Sequence, residues 1–230
     1  MLDGGVPDHA TALIYGPPFV GKEVLARQFI LTGLRKGIPA ILVLTNATAP
    51  ETHERLRQMD PKFDEHVRAG LVRFVDAYSP TIGASVQHPG TEQVDGLLNF
   101  NAVTAAVNNA QRVLLRHHPG HHLLFESVST LVAYTNAQTA FRFLQVLVGR
   151  SRAAGATSIL LLERGMHSEE EVQTIKHLSS GVIELKSEAT RLLLRVEGLG
   201  VDGTAYPWME YRFSEKSVEV TGSLTAGRIR

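Results

Sequence analysis

The chain has 230 residues, of which 43% are hydrophobic and 20% charged, the size and balance of an ordinary globular protein with a sizeable core. Its 23 basic and 23 acidic residues cancel, so no net field draws it to nucleic acid, and the absence of cysteine excludes disulfides, thiolate metal sites and a cysteine nucleophile. No apolar run approaches the roughly 20 residues of a membrane span, and the opening "MLDGGVPDHA" lacks a basic-then-apolar secretory signal, so a cytoplasmic protein without a membrane partner is expected.

Five short apolar runs punctuate the chain: "ATALIY" (10–15), "PAILVL" (39–44), "GLVRFV" (70–75), "HHLLFE" (121–126) and "TSILLL" (157–162). Near-continuous apolar runs of this length suit strands covered on both faces. The spacing predicts helices near 22–36, 51–59, 92–117 and 136–154, the first stopped by Gly37. Alternation of this kind predicts an α/β fold with a mostly parallel sheet and right-handed crossovers. Residues 79–93, rich in Pro, Gly and Ser, read as an exposed loop, and Ser168 reads as the N-cap of a short acidic helix. The last fifty residues alternate in short stretches, "GVIELKS", "TRLLLRVEG", "WMEYRFS" and "SVEVTGS", as antiparallel strands extending the same sheet. The tail "TAGRIR" is expected to fray. With no internal repeat or linker, residues 1–230 read as one domain.

The stretch Gly16-Pro17-Pro18-Phe19-Val20-Gly21-Lys22-Glu23-Val24 follows the first strand and opens the first helix. Backbone N–H groups of such a turn, with the helix N-terminus, cradle phosphate oxygens, and Lys22 reaches the β- and γ-phosphates. These nine residues are the candidate cofactor-binding set, for ATP or ADP.

"LDGGVP…LIYGPPFVGKEVLARQFILTGLRKGIPAILVLT", "HHLLFESVSTLVAY", "SILLLERG…HLSSGVIELK" and "RLLLRVEGLGVDGTAYPWMEYRFSEKSVEV" together resemble a KaiC-like domain of the RecA/RadA P-loop ATPase superfamily over nearly the whole chain. The resemblance implies a RecA-like P-loop fold and a homo-oligomer, ring-type or dimeric, with nucleotide between subunits.

Several positions depart from the family pattern. Glu23 stands where a hydroxyl contacts magnesium, and Phe19 stands where glycine is usual, adding bulk beside the phosphate path. Glu126 replaces an Asp that contacts magnesium, which makes it the candidate metal residue. Asn46 and Ala47 stand where a glutamate pair orients the attacking water, and neither is a base. Arg195-Val196-Glu197 matches a Lys-x-Arg that reaches a neighbour's γ-phosphate, with the second charge inverted. Loss of a base costs on the order of 10²–10⁴ in rate, and loss of a trans cation ~10³–10⁵ more. The candidate catalytic carboxylates that remain are Glu126 and Glu163. Glu51 and Glu54 could swing into the base position, but first-turn helix charges are the simpler reading.

Four histidines, His117, His118, His121 and His122, invite a zinc or nickel site, against the plainer reading of a helix end turning into a strand. Trp208 and Tyr211 read as sheet-packing aromatics rather than base-stacking platforms. The expectation is therefore a regulatory or scaffolding module with a degenerate site that binds ATP or ADP, works through self-association or a protein partner, and uses magnesium poorly if at all. A slow ATPase in signalling is the alternative, and a DNA recombination or repair factor rests on fold analogy alone.

Overall fold

The structure, a computed structural model, describes residues 5–199 and 206–223. In chain order the elements are β1 (Thr11–Gly16), α1 (Lys22–Arg35), β2 (Ala40–Leu44), α2 (Ala49–Met59), α3 (Phe63–Arg68), β3 (Val72–Asp76) and β4 (Thr91–Gln93). Then come α4 (Phe100–Leu114), β5 (His121–Phe125), α5 (Val128–Tyr134), α6 (Ala137–Ala153), β6 (Ala156–Glu163) and α7 (Glu169–Lys176). The described chain ends with β7 (Gly181–Glu188), β8 (Arg191–Glu197), β9 (Met209–Phe213) and β10 (Val218–Ser223). Among the described residues the strands form a 10-stranded sheet in the order β10-β9-β8-β7-β1-β6-β5-β2-β3-β4. From β7 to β4 every neighbouring pair is parallel, and β8, β9 and β10 continue beyond β7 as antiparallel strands. This is the α/β architecture expected, including the extension of one sheet by the last strands.

The apolar runs are continuous because both faces are covered. Leu13, Ile41, Val43, Leu123, Phe125 and Leu160 pack on one side with α4, α5 and α6. Ile14, Leu42, Leu44, Leu124, Ile159 and Leu161 point the other way, toward α1, α2 and α3. Consecutive side chains alternate sides, as strand geometry demands. A parallel sheet also brings the C-terminal ends of β1, β2, β5 and β6 to one edge, where α/β folds place their ligands.

Ser168 caps α7 as expected, its hydroxyl accepting from Glu171 N while the Glu171 carboxylate accepts from Ser168 N. Thr48 and Glu51 form the same reciprocal pair at α2, so Glu51 is a capping residue. Three expectations need correction. The helix foreseen over 92–117 is α4, Phe100–Leu114, because Gly96 takes a left-handed φ of +85° and Asn99 caps the true start. The loop over 79–93 holds a 3-10 turn at Ser79–Ile82 and the edge strand β4. The short helices α3 and α5 were not foreseen. The tail "TAGRIR" lies outside the described residues. Among those residues no helix is long and apolar enough to cross a membrane.

A chain of side chains ties the β4 region down. Asp64 lies 2.7 Å from His53 Nε2, His53 Nδ1 lies 3.1 Å from His88 Nε2, and His88 Nδ1 lies 3.2 Å from Thr91 Oγ1. It joins α2, α3 and β4, and its histidines pack edge-on against the buried rings of Phe63 and Phe74.

The histidines of β5 face opposite sides of the sheet, so one ion cannot take both, and the helix-end-and-strand reading holds. His121, 1% exposed, lies 3.3 Å from the Gln111 amide of α4. His122, 9% exposed, stacks on Phe29 of α1 at 4.0 Å and presses on Gly33, where a Cβ would sit 2.3 Å from Nδ1. Burial drives both imidazoles down to about 4, so both are neutral at pH 7. An unfolded chain takes up these protons near pH 6.5 while the fold refuses them until about 4, so stability is full above 6.5 and falls below it. His122→Phe, which keeps the stack, is expected to lose about 3 kcal/mol less stability between pH 7 and 4 than the parent. Urea titrations at both pH values check this.

Candidate phosphate-loop site

At the end of β1 the chain turns sharply into α1 through two left-handed residues, Phe19 at φ +62° and Gly21 at φ +82°. Alternating handedness makes successive N–H groups converge into an anion-binding concavity. The turn sits in front of α1, whose N-cap Gly21 offers no side-chain acceptor, so the first N–H groups of the helix point outward unpaired. By contrast α2, α4, α5, α6 and α7 are each capped by a side chain.

Strands from the far end of the sequence hold this loop. Tyr211 of β9 donates its hydroxyl to the Val20 carbonyl at 2.6 Å, and burial pushes that phenol's pKa up. A Cβ on Gly21 would stand 2.7 Å from the ring of Phe213. Tyr211 thus packs in the sheet, as expected, and also fastens the loop. Trp208, just before β9, lies under Lys186 at 4.3 Å and Arg195 at 4.7 Å.

Phe19 departs from expectation. Its left-handed backbone turns the ring out of the loop, 93% exposed, so it adds no bulk beside the phosphate path. It keeps the conformation that suits glycine and carries the strain of doing so.

Lys22 is 2% exposed. Its ammonium donates to the Pro17 carbonyl at 3.0 Å and lies 2.8 Å from Glu163 and 3.4 Å from Glu23. Glu163 ends β6 in register with Gly16, which ends β1, so strand pairing sets the carboxylate beside the loop. Val24 packs its side chain on the α1-side core. The sequence singled out Lys22 and Glu163 separately, and nothing in their spacing announces the ion pair.

Glu126 follows β5 and is 6% exposed. Burial raises its carboxyl pKa to about 7, against the pull of Arg27 and of the N–H groups of Thr45 and Asn46. One carboxyl oxygen has no hydrogen-bond partner. The end of β2 therefore contributes backbone donors at this point, while Ala47 is buried. Glu51 is engaged with Thr48 and Glu54 with Arg57, at 2.9 Å in a two-pronged pair, so neither faces the base position.

Arg195 of β8 is held within its own chain. It donates to Glu184 at 2.9 and 2.7 Å and lies 3.0 Å from Glu197. Glu184 is buried and also pairs with Arg164. This buried carboxylate with two guanidinium partners was missed by sequence reasoning, because "GVIELKS" reads only as an alternating strand.

Glu126 and Phe19 give two expected outcomes. A carboxyl raised from 4.5 to about 7 contributes stability that is complete below 4.5 and lost as pH rises through 7, on the order of 3 kcal/mol. Glu126→Gln is expected to abolish this decline, so that its urea midpoint exceeds the parent's at pH 8 and not at pH 4. Phe19→Gly is expected to raise stability by roughly 0.5–1 kcal/mol through relief of the left-handed strain, read by the same titration.

The geometry agrees with what known proteins show. A family model described as ATPase: KaiC matches residues 1–220. A UPF0273 protein of Methanopyrus kandleri is 25% identical over 190 residues, covering 80% of this chain and 71% of its own. A UPF0273 protein of Aeropyrum pernix is 27% identical over 195 residues, covering 80% and 73%. The crystal structure of a KaiC-like protein from Pyrococcus horikoshii superposes with a TM-score of 0.72 at 18% identity, over 96% of this chain and 93% of that one, and shares the fold. With the parallel sheet, the loop at the end of β1 and the match over 1–220, the chain belongs to the KaiC family of ATPase domains.

Proposed function

We propose that this chain is a nucleotide-binding regulatory or scaffolding module that takes ATP or ADP on the Gly16–Val24 loop and hydrolyses ATP poorly or not at all. The observation that carries this reading is the commitment of the charged groups around a preserved loop. The converging N–H groups and Lys22 remain in place, whereas Arg195 is neutralised by Glu184 and Glu197. No carboxylate stands at Asn46 and Ala47, and Glu126 sits where burial favours its neutral form. A general base must be ionised to take a proton, and a trans cation must be free to meet a phosphate.

Magnesium fits these residues badly. Position 23 has no hydroxyl, Glu23 and Glu163 both lie against the Lys22 ammonium, and Glu126 is held toward its uncharged form. A hard cation with octahedral demands needs ionised or neutral oxygens free to turn toward it.

The expected mode of action is contact with further copies, in a ring or dimer, or with a separate protein partner, in the cytoplasm. Zero net charge argues against nucleic acid as that partner. A slow ATPase is the second reading. It is favoured by Glu163, a carboxylate that stands 2.8 Å from Lys22 beside the loop.

Phosphate release from ATP by the parent is expected to match that of Lys22→Ala, each at the background of a protein-free control. Turnover by the parent at least tenfold above the Lys22→Ala variant would establish the enzyme reading instead.

A further inference from the structure

At the edge of the sheet away from β10, Asp64, His53, His88 and Thr91 form one hydrogen-bonded row that plays no part in the phosphate loop. An ionised carboxylate only accepts, so His53 Nε2, 2.7 Å from Asp64, carries a hydrogen. With both imidazoles neutral the remaining directions follow. His88 Nε2–H donates to His53 Nδ1 at 3.1 Å, and the Thr91 hydroxyl donates to His88 Nδ1 at 3.2 Å. One added proton keeps every link. His88 Nδ1 then carries a hydrogen and donates to Thr91 Oγ1, a single hydrogen still lies between the two rings, and the Asp64 carboxylate balances the charge. A second added proton has no such place. His53 Nδ1 and His88 Nε2 then both carry hydrogens 3.1 Å apart, with two cations facing each other and no acceptor between them.

We propose that this row is a pH-operated latch on β4, which holds the edge strand with none or one added proton and releases it when the second enters. The strand has little else to keep it. β4 is three residues long, and among the described residues it pairs with β3 alone, while the segment 83–90 leading into it is nowhere fully buried. A further tie joins Glu92 to Asn109 of α4 at 3.2 Å. Among the described residues few groups face the two rings. α2 brings Glu54 and Arg57, already paired with each other, α3 brings Asp64 and the Phe63 ring, and β3 brings the Phe74 ring. Burial and the neighbouring His53 hold the His88 imidazole below its ordinary 6.5, against the pull of the Pro89 backbone. An opened row takes up protons near that ordinary value. The latch is therefore fully closed above 6.5 and is lost as pH falls through the depressed value. Release leaves the backbone of β3 as the free edge of the sheet, a surface with which another strand can pair.

Amide hydrogen exchange of the full chain tests this, with rates converted to protection factors so that the intrinsic effect of pH is removed. The amides of Phe74, which donates to Gly90, and Val94, which donates to Asp76, report the joining of β4 to β3. Between pH 8 and pH 5 their protection in the parent is expected to fall about tenfold. In His88→Gln, whose amide reaches His53 but takes up no proton, the fall is expected to stay within about threefold. His88→Phe, which removes the row at every pH, is expected to show the parent's acid level of protection at both pH values. Where a variant fails to fold, nitrogen NMR of the parent's imidazoles decides. Two separate proton uptakes by His53 and His88, the second coinciding with the loss of protection, support the latch. It is overturned by an unchanged protection in the parent, by an equal fall in folded His88→Gln, or by two rings that titrate independently.

Discussion

A buried ammonium sets the terms for the centre of this molecule. Lys22 begins α1 at the edge where the parallel strands end, and almost none of it reaches water. A charge removed from water needs an opposite charge and a full set of hydrogen bonds nearby, or the fold loses several kcal/mol. The chain supplies one hydrogen bond, from the loop through Pro17, and two opposite charges, Glu23 on the helix and Glu163 on the neighbouring strand. Much of the surrounding architecture follows from keeping those suppliers in position. β6 must pair with β1 to the last residue, and the loop must bend back far enough for a carbonyl to face its own lysine.

A second cluster of charge lies on the next strands outward. Glu184 on β7 gathers Arg164 and Arg195, and Arg195 continues to Glu197 and the face of Trp208. Two guanidinium groups on one buried carboxylate leave no unpaired charge inside and lock β6, β7 and β8 in lateral order. The arrangement also accounts for Arg195 in a KaiC-family chain: the cation is present, but its partners belong to the same molecule.

Much of this was legible in the sequence, and the limits have physical causes. Apolar runs and capping residues are local signals, so the strands from β1 to β10 other than β4, and the cap at Ser168, could be read directly. β4 has three residues and half-exposed side chains, too short for alternation to register. The helices α3 and α5 span six and seven residues, below the length at which helical periodicity separates from chance. The residues Glu23, Asn46 and Glu126 were visible because each is a matter of identity at one position. Which group each one meets was not visible, because Lys22 and Glu163, or Val20 and Tyr211, meet only when the sheet is assembled. Phe19 shows the same limit in reverse: its size was plain from the sequence, but its direction depended on a single positive φ.

The contact of β9 with the phosphate loop carries a consequence for the thermodynamics of binding. A turn with two left-handed residues has little conformational preference of its own, and in isolation it would sample many shapes. Here the Tyr211 hydroxyl on Val20 and the Phe213 ring over Gly21 hold it from the neighbouring strand. The entropy of ordering that turn is surrendered when the chain folds and not when an anion arrives, so association can proceed with little rearrangement. Strands some 190 residues further along the chain thereby fix the rigidity of the loop.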